Sequence, residues 1–336
     1  MRKNGFATIG NWIVDYIKDV DRYPEKNHLT IIRQQTKSIG GGAANVIIDL
    51  AKMGIDLPFY ACGMIGRDSD GDMILSTLKN NGINANLMQY SLAELTSYTD
   101  VINSPKEKIR TFFHYPGANI ELVSEHIDSI PESIKICYIG YLNMLPGLEK
   151  IAEKTFASLV SLRKKGIEIA VDLVSDKDIR SDFVAKALPY IDYLIINEIE
   201  AEFISTIKIS DFSVDENIKT IIRSASKIIE MGVQKIVAVH CPLFAVAVDS
   251  NYKIAIEPSY QIGKDAIKGT VGAGDAFCAG FLYGVYNNLD VNQSLKYANA
   301  SAWFNLHSPN ATEGAATLSQ INELIRSKEQ YSLTIN

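Results

Sequence analysis

The chain has 336 residues, with 33 Lys+Arg against 39 Asp+Glu for a formal charge of −6, and 47% hydrophobic content with 22 Gly and 10 Pro. This composition excludes a disordered, collagenous or coiled-coil chain, and the length suffices to bury a core without disulfide or metal staples. The slight excess of acid excludes the basic footprint of a nucleic-acid binder, so an anionic ligand has to be held by local groups and not by the global field.

In chain order, the first segment, 6–9, is a short apolar run that predicts a strand; interrupted by Asp15 and Lys18, the run is too short for a signal peptide. Further strands are predicted at 58–62, 136–139, 167–172, 193–196 and 235–239. Helical periodicity lies at 43–53, 70–80, 147–164, 198–205, 217–231, 274–287, 292–306 and 318–327. Fully apolar strands such as Tyr193-Leu194-Ile195-Ile196 suit a sheet covered on both faces. The expected fold class is therefore α/β, a three-layer α/β/α sandwich with a mostly parallel central sheet.

Two stretches, 28–37 and 96–114, are rich in Thr, Ile, Tyr and Phe and alternate in character. They read as β-hairpin material outside the main sheet, either a small lid or a plain extension. The longest apolar stretches, 236–248 and 276–286, are interrupted by His240 and Pro242 or fall short of the roughly 20 residues of a membrane span. Cys62, Cys137, Cys241 and Cys278 show neither metal nor redox spacing. A soluble cytoplasmic protein with no membrane and no nucleic-acid partner is expected.

Four motifs carry chemistry. Gly10 to Asp15 leaves the first strand with a carboxylate suited to gripping sugar hydroxyls; a solvated loop aspartate would read the same. Gly40-Gly41-Gly42-Ala43-Ala44-Asn45 opens a helix without the Lys-Ser/Thr of a P-loop. Its small residues let a polyhydroxylated ligand approach the backbone, with Asn45 offering donor and acceptor, or they make a tight strand-to-helix turn. Asn197-Glu198-Ile199-Glu200 matches a capping box. Placed at a strand's C-terminal end, Asn197 and Glu200 also suit the water shell of Mg²⁺.

The sharpest signal is Gly269-Thr270-Val271-Gly272-Ala273-Gly274-Asp275, just ahead of a helix. Free N–H groups in a first turn make an anion site, and a carboxylate there repels phosphate, so Asp275 fits a general base better than a ligand. The Gly272, Ala273 and Gly274 amides would stabilise charge on a transferring phosphoryl group. The plain alternative is that Asp275 complements the helix dipole.

These motifs, with Gly63-Met64-Ile65-Gly66-Arg67-Asp68, Gly71 and Gly117-Ala118-Asn119, occur in the order and spacing of the ribokinase-like (PfkB) family of carbohydrate and nucleoside kinases, which the chain resembles over almost its whole length. The resemblance implies one kinase domain over 1–336 with a β lid from about 16–37 and 96–115, and ATP along the C-terminal half. It implies Asp275 as base, Gly272, Ala273 and Gly274 as anion hole, and Asp15, Gly41, Gly42 and Asn45 around a small sugar. Thr270 and His240 would lie against the nucleotide, and Asn197 and Glu200 would organise Mg²⁺ through water. A homodimer through the lid edge is also compatible.

Three departures stand out. Gly269 replaces the family's usual Asp, which puts monovalent-cation dependence in question. Val239-His240-Cys241-Pro242 replaces T-x-G on the nucleotide side, and the N-x-R of many fructokinase-like members is missing after Asp172. The leading expectation is an ATP-dependent sugar kinase. The alternatives are a nucleoside kinase, with Tyr98, Phe112, Phe113, His114 and Tyr115 stacking on a base, or a catalytically silent sugar- or nucleotide-binding module. A phosphosugar acceptor would draw on Arg33, Lys37 or Arg110.

Overall fold

The computed structural model describes residues 3–107, 109–175, 181–209 and 213–333. Its strands are β1 (Phe6–Gly10), β2 (Ile13–Val20), β3 (Ile32–Gly40), β4 (Phe59–Ile65), β5 (Asn84–Tyr90), β6 (Ser97–Ser104) and β7 (Ile109–Tyr115). They continue with β8 (Ile136–Gly140), β9 (Glu168–Val171), β10 (Tyr193–Asn197), β11 (Ile236–His240), β12 (Phe244–Asp249) and β13 (Ile254–Pro258). Among the described residues these form a large sheet ordered β13-β12-β11-β10-β9-β8-β1-β4-β5 and a small one ordered β3-β2-β6-β7. From β5 to β11 every pairing of the large sheet is parallel, and β12 and β13 close it antiparallel.

Period-2 alternation splits the core between the two faces. Cys137 and Ile139 of β8 join a cluster with Leu159, Leu162, Ile221 and Ile228, whereas Ile136 and Tyr138 join Ile47, Leu50, Phe277, Phe281 and Leu295. Helices Ala152–Lys164 and Val214–Glu230 therefore cover one face, and Gly42–Lys52, Ala273–Tyr286 and Val291–Asn305 cover the other, giving the expected three layers. No helix among the described residues is long and apolar enough to cross a membrane, and the four cysteines are free.

Several expectations are corrected. The segment 28–37 is hairpin material outside the main sheet, as expected, but its partner is β2, which lies upstream and itself runs parallel to β6. Asp15 consequently sits inside a strand and not in a loop leaving β1. The helix expected at 147–164 is broken at Ile151 into Pro146–Lys150 and Ala152–Lys164. Strands β2, β5, β12 and β13 are additions.

One anchor joins the two sheets. Trp12 is fully buried between β1 and β2, donates from Nε1 to the Cys62 carbonyl at 2.9 Å, and exchanges bonds with the Asn119 amide at 3.2 Å in each direction. Its indole lies so close to Gly63 that a Cβ there would come within 2.2 Å of it. Trp12→Ala is expected to cost about 3–5 kcal/mol, read as a lowered urea midpoint at unchanged slope. A loss under about 1 kcal/mol would show that the anchor contributes little.

Candidate active site

Parallel strands bring their C-terminal ends to one edge, the place where open α/β sheets bind ligands. Here Asn11 follows β1, Tyr141 follows β8, Asp172 follows β9, and Asn197 and His240 end the paired β10 and β11. The helix Ala273–Tyr286 begins at this edge, and Asp275 occupies its first turn.

Gly272 caps that helix in the left-handed region at φ 78, and a Cβ there would fall 2.4 Å from the Ala311 carbonyl oxygen, so only glycine fits. The expected anion hole is altered in one respect: the Ala273 N–H turns back to the Thr270 carbonyl at 3.3 Å. The remaining first-turn N–H groups lack acceptors within the helix and keep the anion-binding polarity of a helix start.

Asp275 is 5% exposed, and its Oδ2 accepts from Asn45 Nδ2 at 2.8 Å and from Tyr141 Oη at 3.0 Å. Burial raises its pKa above the usual carboxylate range, and the two donors pull it back. Asn45 thus meets Asp275 directly. Tyr141, which sequence reasoning did not single out, is held at φ 54 by its N–H bond to Asp172 Oδ1 at 2.7 Å. A non-glycine residue in that region is strained by on the order of 1–3 kcal/mol. Its only advance signal lies elsewhere, in Gly42, where a Cβ would come within 2.8 Å of the Tyr141 ring.

The other glycines of the cluster serve similar ends. Gly41 takes φ 94 against the Asn11 carbonyl, and at Gly40 a Cβ would lie 2.4 Å from Asp15 Oδ2. Asp15 is pushed up to about 6, mainly by burial, against the lowering effect of the Thr99 hydroxyl and with a further upward push from Asp275. It lines a small cavity with Ser38, Arg110 and Phe112 of the small sheet and Val271 and Asn310 from beneath. Thr99 and His114 extend the same cross-strand row, joined at 3.0 Å.

On the far side of Asp275 opens a cavity of about 680 Å³. Its wall combines polar groups of Tyr141, Asp172, Asn197, Glu200, His240, Thr270, Gly272, Ala273 and Gly274 with the apolar side chains of Ile262, Ile267, Ala302, Trp303 and Leu306. This pattern of a few converging polar groups and an apolar wall suits a nucleotide. Asp275 lines this large cavity, and its charge is felt by Asp15 in the small one.

Asn197 and Glu200 do form the capping box. Glu200 N–H donates to Asn197 Oδ1 at 2.9 Å, and Asn197 N–H donates to Glu200 Oε2 at 3.0 Å. Glu200 Oε1 also accepts from Asn197 Nδ2 and from Ser175 Oγ, both at 2.9 Å, and burial pushes its pKa up to about 7. His240 packs against Phe277 in a tilted arrangement with ring centroids 4.9 Å apart, and a Cβ on Gly274 would lie 3.4 Å from its Nε2. Burial lowers its pKa to about 4, so the ring is neutral near pH 7. Gly269 is packed so that a Cβ would stand 2.8 Å from the Ser308 carbonyl oxygen, leaving no room for the aspartate that the resemblance leads one to expect there.

The family model described as pfkB family carbohydrate kinase matches residues 3–318. The chain is 24% identical to a 5-dehydro-2-deoxygluconokinase of Clostridium botulinum, covering 98% of this chain and 95% of that one. It is 23% identical to a ribokinase of Staphylococcus aureus over 96% of this chain and 99% of the other. Its fold is similar to that of Arabidopsis thaliana ribokinase complexed with ribose and ATP, with a TM-score of 0.79, 18% identity and coverage of 96% and 99%.

Proposed function

The chain belongs to the pfkB family of carbohydrate kinases, and from that premise we propose that it transfers the γ-phosphoryl group of ATP to a hydroxyl of a small sugar, with Asp275 as general base. The observation that carries this reading is the position of Asp275, a buried carboxylate in the first turn of a helix, held by Asn45 and Tyr141 on the wall of a nucleotide-sized cavity.

The sugar lies under the small sheet, which acts as its lid. Asp15 accepts from acceptor hydroxyls, and Gly40 to Gly42 leave room for Asp15 and Tyr141. Asn45 and Tyr141 fix the Asp275 carboxylate, which takes the proton from the attacking hydroxyl. The helix start beyond Gly272 faces the charge that grows on the phosphoryl oxygens. Thr270 and His240 flank the phosphates, and the apolar wall around Trp303 takes the base.

For Mg²⁺, no group of three or more His, Cys, Asp or Glu side chains suited to a metal occurs among the described residues. Both Glu200 oxygens are already bonded within the protein. This donor set fits an ion that keeps its waters, with Glu200 and Asn197 bonding that shell. Such an ion supplies charge neutralisation for the phosphates.

Arg110, whose Nε makes one long bond of 3.4 Å to Asn103, brings a cation with further donors to the acceptor cavity. We therefore place carboxylate-bearing sugars, the class in the name of the Clostridium relative, ahead of neutral pentoses and nucleosides. A coupled assay of ATP consumption across aldonates, ketoses, ribose and nucleosides tests this. Turnover is expected with a sugar acid; a preference for nucleosides overturns the acceptor class. Tight ligand binding with no turnover on any acceptor overturns the kinase reading in favour of a silent module.

A further inference from the structure

Asp49 takes no part in the chemistry above. It lies on the helix Gly42–Lys52, one turn beyond Asn45, and is 2% exposed. Neither carboxylate oxygen has a hydrogen-bond partner, and Asn45 Oδ1 has none either, although Asn45 Nδ2 donates to Asp275. Residues i and i+4 on a helix are neighbours, so two orphans of the same buried face lie one turn apart.

An unpaired buried carboxylate is costly, and it relieves that cost by keeping its proton. Burial and the Asp275 charge both drive Asp49 that way. Lys52 of the same helix opposes them, but its ammonium is drawn to the Thr312 carbonyl at 2.8 Å. A neutral carboxylic acid has one O–H to donate, and the acceptor it requires is of the kind Asn45 Oδ1 offers. If volume alone mattered here, leucine would fill the site without this cost.

We propose that Asp49 is a positioning residue: it donates its proton to Asn45 Oδ1 and so locks the amide in the orientation that presents Nδ2 to Asp275. This rests on the kinase reading. Without the lock the amide is free to turn, and Asn45 Oδ1 then confronts the Asp275 carboxylate, acceptor against acceptor. The base loses one of its two donors, and its proton is held more tightly. The other groups whose charge or hydrogen bonding bears on Asp275, namely Tyr141, Asp15, Asp172, Tyr138 and Cys278, stay the same in every variant below.

The test is the pH dependence of kcat at saturating ATP and acceptor for the wild type, Asp49→Asn and Asp49→Leu, with Asp49→Ala if the leucine variant does not fold. The asparagine keeps an N–H donor, whereas leucine and alanine donate nothing. Asp49→Asn is expected to keep the wild-type acid limb. Asp49→Leu or Asp49→Ala is expected to lose about tenfold in kcat, the order of one hydrogen bond to a charged group, and to carry its acid limb to higher pH. A purely structural role would lower stability without moving the limb. An unmoved limb in the leucine and alanine variants, or an equal displacement in Asp49→Asn, overturns the proposal. Survival of the limb in Asp275→Asn instead overturns the base assignment itself and this inference with it.

Discussion

Asp275→Asn is expected to lower kcat by on the order of 10²–10⁴-fold while leaving the fold and ATP affinity nearly unchanged. The amide has the volume of the carboxylate, and its oxygen still accepts from Asn45 and Tyr141, which donate to Asp275 Oδ2 at 2.8 and 3.0 Å. What it lacks is a basic site for the acceptor proton. Since burial raises the Asp275 pKa, wild-type turnover falls as pH drops through that raised value and is level above it. The variant has no such limb. Removing a buried charge also predicts equal or greater thermal stability, since functional carboxylates are held at a stability cost. Kinetics and thermal melts on the same samples decide the matter: near-normal turnover would remove Asp275 from the base role.

The acidity of the chain takes on a local meaning around this residue. Asp15, Asp172 and Glu200 have pKa values raised chiefly by burial, and Asp172 and Asp15 are pushed further by Asp275. A pocket with this sign repels a triphosphate unless other groups oppose it. Within the chain those groups are the helix start after Gly272 and Lys264 on the wall of the large cavity. The same repulsion keeps the carboxyl groups ready to hold a proton, which is what a base in a closed site requires.

Central strands were legible because both their faces are buried. β1, β4 and β8 to β11 fall where short apolar runs predict them. β5, at one sheet edge, carries Asn84, Asn86 and Gln89, and half-exposed edges lack that signature; β13 closes the other edge with Ile254 exposed. β12 was hidden in the apolar stretch 236–248, which turns at Cys241 to Leu243 into an antiparallel hairpin. In the site, glycine motifs and carboxylates pointed to Asp275, Asn45 and Asp15. Nothing in Gly140-Tyr141-Leu142 marks Tyr141, because its role follows from the strand end it occupies and from the space left by Gly42. Asp15 was legible as a residue but not in its setting, since the pairing of β2 with β3 and β6 is a long-range event.

That setting makes Asp15 the second sensitive position. Asp15→Ala is expected to raise the acceptor KM by about 10–100-fold with a smaller effect on kcat, the worth of hydrogen bonds to an ionised acceptor. The pH dependence separates this role from a packing defect. Asp15 titrates at about 6, raised from the ordinary value, so it is ionised and accepts from hydroxyls above that pH and is half protonated at it. In the wild type, acceptor KM should be level above pH 7 and climb as pH falls through about 6, toward tenfold per unit in the limit. Asp15→Asn should show a raised KM without that climb, because its amide does not titrate. The ATP KM, set on the far side of Asp275, should follow neither change. An acceptor KM that keeps its acid climb in Asp15→Asn would assign the titration to another group and place the sugar elsewhere in the cleft.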